Sequence, residues 1–447
     1  MRRGGSMKQL PIYEVKKRYA EGGTPAEVIS DIIGQAQELS DMNIWITPPD
    51  MSFISPYIDK LDSMDRSLPL WGIPFAVKDN IDLAGVPTTA GCPDYSYIPE
   101  KSAAAVERLV AAGAIPVGKT NLDQFATGLV GTRSPYGECK NSLAPDYISG
   151  GSSSGSAVAT ATGLCCFALG TDTAGSGRVP AALNELYGVK PSVGAYPKTG
   201  LVPACESLDC ITVFAYRLDD AMLADSVIRG KCDEDMWSRD VPLTDGIPEK
   251  IIIPDAPLEF YGRFEEEYRQ SYENAVKKLS EAFTVEKTDC NVFFKAAELL
   301  YGGPWICERW SALGGFVETH SESVFPVTRE VLLSGKGGEY SAAALFEKQH
   351  LMKSYEHRAH RMLENAVLVL PTCGGTFTRD EVRESPIEAN RKMGLYTNHC
   401  NLLDLAALAI PMKGFESNGE YFPFGITLFA TPEYEGILRS TASILNK

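Results

Sequence analysis

The sequence predicts a layered α/β fold built on a covered β-sheet. Two observations carry that expectation. Short apolar, β-favouring runs alternate with helix-patterned segments between residues 71 and 177. The 447 residues are 44% hydrophobic, enough for one large core or for two to three smaller domains. Residues 1–65 read as a helical preamble, with its plainest helix over 25–40. The run 71–77 is apolar and ends at Lys78-Asp79-Asn80, so it reads as a strand that carries Lys78 to its end. Residues 102–112 hold apolar positions at helical spacing, and Gly113 stops them. A short strand is expected over 115–117, and Asn121 is placed to cap a further helix. Residues 156–163 form a small-residue helix, and 165–169 a buried strand leading into the glycine-rich 170–177. Composition turns acidic and turn-rich over 218–248, and 264–283 is a charged amphipathic helix. The block from about 220 to 365 therefore reads as a helical elaboration on the sheet. Late strands are expected over 365–372 and 424–429.

Composition excludes some functions. With 58 acidic and 42 basic residues the formal charge is −16. Such a surface repels nucleic acid and anionic membranes, and an anionic substrate would need a local cation to capture it. The 11 cysteines are odd in number and scattered, with no CxxC pair, which reads as buried free thiols in a reducing compartment. The first 23 residues are polar and charged, and no apolar run approaches a membrane span, so the expected location is the cytoplasm.

The chemistry concentrates in two serine loops. Gly150-Gly151-Ser152-Ser153-Ser154-Gly155-Ser156 lies between ordered-looking elements, which argues against a flexible linker. Thr171-Asp172-Thr173-Ala174-Gly175-Ser176-Gly177-Arg178 follows it, with glycines that let backbone N–H groups approach a ligand. A serine nucleophile needs a base. All five histidines stand at 320 or later; His350, His357 and His360 fit the solvated face of a charged helix, and no HExxH metal pattern occurs. A lysine serves as base if burial keeps it neutral. Lys78 is a candidate, although pairing with Asp79 fits its position equally well. Gly113-Ala-Ile-Pro-Val-Gly118-Lys119-Thr120 matches a phosphate-loop pattern, but strand and helix stand in the wrong order around it. Ser153 is the centre of a GxSxG match whose preceding residues 141–149 are turn-like, not strand-like.

Lys78, then the serine run from Gly150, then the turn ending at Arg178, in this order, resembles the amidase signature family, densely over 71–215. The resemblance implies a large mixed β-sheet covered on both faces by helices, with residues 66–447 as the amidase domain. It implies a Ser–cis-Ser–Lys triad: Ser176 as nucleophile, Ser152 as the bridging serine after a cis peptide, and Lys78 as base. It also implies an oxyanion hole from the backbone N–H groups of Thr173, Ala174, Gly175 and Ser176. Residues 128–137, 207–210 and 300–305, with Glu308-Arg309, are similar to the allophanate hydrolase branch. That similarity implies a small anionic amide as substrate, with Tyr301 and Arg309 on its carboxylate and the Gly128 backbone nearby. On the residues alone, Arg309 reads as a surface ion pair with Glu308, and Arg133 is a competing anion ligand. The branch implies no metal and no organic cofactor, no nucleic-acid or membrane partner, and a functional link to a biotin-dependent urea carboxylase; it leaves a homodimer open. The C-terminal domain that many members of the branch carry is not expected here, because the chain ends soon after 423–429. Alternatives are a biuret- or carboxybiuret-type hydrolase, the glutaminase subunit of a tRNA-dependent amidotransferase, and a scaffold without catalysis.

Overall fold

The alternation of apolar runs and helical segments folds into one sheet. A computed structural model describes residues 9–337 and 340–446. Its strands are β1 (Trp45–Thr47), β2 (Pro74–Lys78), β3 (Ile115–Thr120), β4 (Phe167–Asp172), β5 (Tyr187–Lys190), β6 (Cys210–Ala215), β7 (Lys250–Pro254), β8 (Val285–Thr288), β9 (Ala366–Pro371), β10 (Ala406–Ser417) and β11 (Glu420–Ala430). They form an 11-stranded mixed sheet in the order β1-β3-β2-β4-β6-β5-β10-β11-β9-β7-β8.

Side-chain alternation explains why both faces are covered. In β2, Phe75 and Val77 enter one core while Ala76 enters the other. In β9, Val367 and Val369 face the first core, and Leu368 and Leu370 face a third. The helices Ala104–Ala111, Leu218–Ile228, Glu265–Ala282 and Glu435–Leu445 contribute to the first core. The helices Pro25–Glu38, Met51–Leu61 and Ser154–Ala161 cover the opposite face near β2 to β4. Strands buried on both sides read as continuous apolar runs, which is why they are visible in the sequence.

The register places the site. β2 is parallel to both β3 and β4, pairing Phe75 with Phe167 and Val77 with Leu169. The C-terminal ends of β2 and β4 therefore emerge side by side, and these ends carry Lys78 and the turn after Asp172. Crevices at such strand ends are the usual ligand sites of α/β sheets.

Three expectations are corrected. The preamble is not all helical: β1 joins the sheet edge against β3, with Trp45 opposite Thr120. The block from about 220 to 365 is not only an elaboration, since β7 and β8 extend the sheet in parallel with β9. Asn121 caps no α-helix. Its side chain instead accepts from Leu122 N and Ser134 Oγ and donates to the carbonyls of Asn43 and Gly137, stitching loops together. Among the described residues no helix is long and apolar enough to cross a membrane.

Candidate active site

Lys78 is the last residue of β2 and is fully buried. Its Nζ lies 2.7 Å from Ser152 Oγ and 2.6 Å from Thr171 Oγ1. Asp79 does not pair with it; that carboxylate meets Lys119 Nζ at 3.3 Å and accepts from Thr89. Burial brings the Lys78 ammonium down to about 7, against the opposing pull of Asp123, Asp209 and Asp172. A neutral amine can donate an N–H to Thr171 and accept the Ser152 proton on its lone pair. That is the arrangement a base requires.

Ser152 follows a cis Gly151–Ser152 peptide bond and precedes the helix Ser154–Ala161. Glycine is required at 151, because a Cβ there would lie 2.1 Å from Asp123 Oδ2. Asp123 is buried and organises the neighbourhood. Its carboxylate accepts from the amides of Val130, Gly131 and Arg133, and its own amide donates to the Ser152 carbonyl at 3.0 Å. Ser153 is tied to β4, donating to the Thr171 carbonyl at 3.1 Å and accepting from the Thr171 amide at 3.2 Å.

The turn after β4 is wrapped around one carboxylate. Asp172 accepts from the amides of Gly175 and Gly177 at 2.9 and 3.0 Å, and from Arg178 Nε and Nη2 at 2.9 and 2.8 Å. Gly175 has φ +139°, and a Cβ there would meet Thr397 Oγ1 at 2.3 Å. Ser176 is buried within this turn, its hydroxyl directed at the Gly128 carbonyl 3.5 Å away. Among the described residues no hydrogen bond joins Ser176 to Ser152, so one link of the expected relay is closed and the other is open. The four expected oxyanion donors differ in their partners. The Gly175 N–H is aimed at Asp172, whereas those of Thr173, Ala174 and Ser176 make no hydrogen bond among the described residues.

The far side of the site is helical. Tyr301 lies on the helix Asn291–Gly302 and Arg309 on the helix Trp305–Thr319. Arg309 is buried, with its guanidinium 5.4 Å from the Tyr301 ring centroid. Its Nη1 donates to Thr127 Oγ1 at 3.3 Å, and its Nε has no partner among the described residues. Thr127 precedes Gly128, so Arg309 and Ser176 hold adjacent residues of one loop. The surface ion pair with Glu308 does not form. Glu308 instead accepts from Ser207 N and Oγ at 2.6 and 2.8 Å and from Cys205 Sγ at 3.0 Å. Arg133 is buried too, braced on the carbonyls of Thr127 and Pro386.

The remaining motifs do other things. The phosphate-loop match is β3 itself, with Lys119 sealed in the ion pair to Asp79. His360 meets the Leu403 carbonyl at 2.9 Å. Among the described residues, no three His, Cys, Asp or Glu side chains are grouped to hold a metal, and all 11 cysteines are free. Sequence reasoning missed Thr171, Asp123 and Thr127. Thr171 and Asp172 stood inside the quoted turn, where a carboxylate beside two glycines and an arginine signals an internally bonded loop. Asp123 and Thr127 carry no such signal.

The chain matches the family described as Amidase over residues 33–438. Urea amidolyase of Saccharomyces cerevisiae is 44% identical over 399 residues, covering 86% of this chain and 21% of that protein. This chain thus spans about a fifth of that relative's length. A glutamyl-tRNA(Gln) amidotransferase subunit of Akkermansia muciniphila is 31% identical over 418 residues, covering 86% of this chain and 88% of that one. The solved structure of Kluyveromyces lactis allophanate hydrolase is similar at a TM-score of 0.89 and 38% identity, covering 96% of this chain and 71% of that one.

Proposed function

The chain belongs to the amidase family, and from that premise we propose that it hydrolyses the terminal amide of allophanate through Ser176, Ser152 and Lys78. One observation carries the choice of substrate: a guanidinium, Arg309, is buried with no carboxylate at ion-pair distance among the described residues, beside the loop that receives the Ser176 hydroxyl. A buried cation lacking a counter-ion is costly unless a ligand supplies one. The carboxylate of a small amide fits that role, with Tyr301 and the Gly128 backbone beside it.

The mechanism starts from neutral Lys78. It takes the Ser152 proton across the 2.7 Å contact, and Ser152 takes the proton of Ser176 once that hydroxyl turns from the Gly128 carbonyl. Catalytic hydrogen bonds commonly tighten only around bound substrate. Ser176 Oγ then attacks the terminal carbonyl carbon. The amides of Thr173, Ala174 and Ser176 are the available donors to the oxyanion, each worth about 3–4 kcal/mol where such donors have been removed. The proton returns to the leaving nitrogen and ammonia departs. Water cleaves the acyl-enzyme by the same relay, giving N-carboxycarbamate, which loses carbon dioxide. In this reading a biotin-dependent urea carboxylase supplies the substrate.

Ammonia release from allophanate, biuret, malonamide and glutamine tests the assignment. Allophanate should exceed the others in kcat/KM by about 100-fold, the scale of one charged contact. Preference for glutamine would move the protein to the amidotransferase role of the relative that it matches nearly end to end.

A further inference from the structure

We infer that Arg133 is a second cation of the substrate-anion pocket, a specificity-determining residue whose charge adds to that of Arg309. This rests on the reading of the substrate as a carboxylate-bearing amide. The two arginines converge on one residue: Arg133 Nη1 donates to the Thr127 carbonyl at 3.0 Å, and Arg309 Nη1 donates to Thr127 Oγ1 at 3.3 Å. Both are almost wholly buried, 3% and 1% exposed. Each has an Nε without a partner among the described residues. Neither guanidinium has a carboxylate at ion-pair distance among those residues. The buried Arg178 does, pairing with Asp172, and so does the partly buried Arg229, with Asp225 and Glu435. Asp123 takes the Arg133 backbone amide, not its guanidinium, and its other oxygen is shared by Val130 and Gly131. Burial pulls the Arg133 pKa down, Asp123 opposes this, and the nearby Arg309 charge adds to the depression.

Bracing two carbonyls does not by itself call for a charge; a neutral amide would donate as well without the desolvation cost. Two cations without a contacting carboxylate, sharing one threonine, concentrate positive charge at one point of a protein of net charge −16. That charge rejects neutral amides by comparison, because a neutral substrate leaves both cations unpaired.

Allophanate and biuret are near-isosteres that differ in this charge, so their kcat/KM ratio reads the pocket directly. In Arg133→Gln, which keeps an amide donor for the carbonyls, the allophanate-to-biuret ratio should fall about tenfold, or about 1.4 kcal/mol, mainly through the allophanate KM. Arg133→Lys should keep the ratio, because the charge remains. A strong wild-type preference for allophanate that persists in a folded Arg133→Gln protein overturns the inference while leaving the proposed function intact. If Arg133→Gln does not fold, as judged by thermal melting, a folded Arg133→Lys that loses the preference overturns it. A wild-type protein without preference for the anion overturns the function and this inference together.

Discussion

Arg178 and Arg309 are both long cations with almost no exposed surface, one beneath the Ser176 turn and one on the helical side of the site. Arg178 is bonded through Nε and Nη2 to both oxygens of Asp172, and Nη1 reaches the Thr397 carbonyl at 3.2 Å. Its region is electrostatically closed, and even the turn's amides are drawn onto the same carboxylate. Arg309 has one long contact to a hydroxyl and an aromatic ring beneath it. Its region is open. A closed charge network holds a shape, whereas an open one asks for a ligand. Under the proposed function, the sheet side of the site positions the reacting groups and the helical side receives the substrate anion.

Five substitutions test that division, the strongest first. Ser176→Ala removes the proposed nucleophile from the closed side, and turnover of anionic and neutral amides alike should fall by about 10⁴–10⁶. Thermal melting should stay near the parent value. Residual ammonia release near the parental rate would end the serine assignment. Lys78→Met should cost about 10²–10⁴ in kcat, the range of general-base catalysis. In the parent enzyme kcat/KM should rise with pH through about 7 and then level, since Lys78 must be neutral and burial sets its pKa there. A flat profile between about pH 5 and 8 would exclude it as the base.

The two arginines should respond in different measurements. Arg178→Met leaves Asp172 buried and unpaired, so it should destabilise the fold by about 3–5 kcal/mol in denaturant titration. Arg309→Met removes no contacting ion pair, and the nearby buried Asp209 keeps Thr173 Oγ1 and the amides of Ala204 and Cys205 as donors. The variant should change stability little while raising the allophanate KM about 10–100-fold, the loss of a charged hydrogen bond. If both variants lose stability equally, the division between scaffold and recognition fails.

The same division accounts for what the sequence disclosed. β2, β3 and β4 were legible because strands buried on both faces spell unbroken apolar runs, such as the one ending at Lys78. β7 also spells such a run, over 251–253, but falls inside the block that reads as helical, and β1 and β8 were not legible. β1 is three residues long at a sheet edge, and β8 is mostly exposed, so neither carries an apolar signature. The two serine loops stood out through their glycine and serine density, whereas Lys78 showed only as the charged end of an apolar run and took its role from the family resemblance. The state of Arg309 could not be read, because pairing with the adjacent Glu308 is the ordinary outcome and only the fold turns Glu308 toward Ser207. The Gly175 amide likewise reads as available in the sequence, and only the folded turn hands it to Asp172.

The smallest expected effect isolates the contact by which the helical side touches the catalytic loop. Thr127 Oγ1 accepts from Arg309 and donates to the Phe125 carbonyl at 3.1 Å. Thr127→Val keeps the shape and the Thr127 carbonyl that Arg133 uses, yet removes the only side-chain acceptor of Arg309 among the described residues. Arg309 would then be held by the Tyr301 ring alone. A net hydrogen bond of about 0.5–1.5 kcal/mol corresponds to a rise of roughly two- to twelvefold in the allophanate KM. The kcat should hold, because the valine leaves Gly128 and the Ser176 turn in place. An equal loss for biuret would show that Thr127 shapes the catalytic loop itself, and that the open side is less separate from the closed side than its charges suggest.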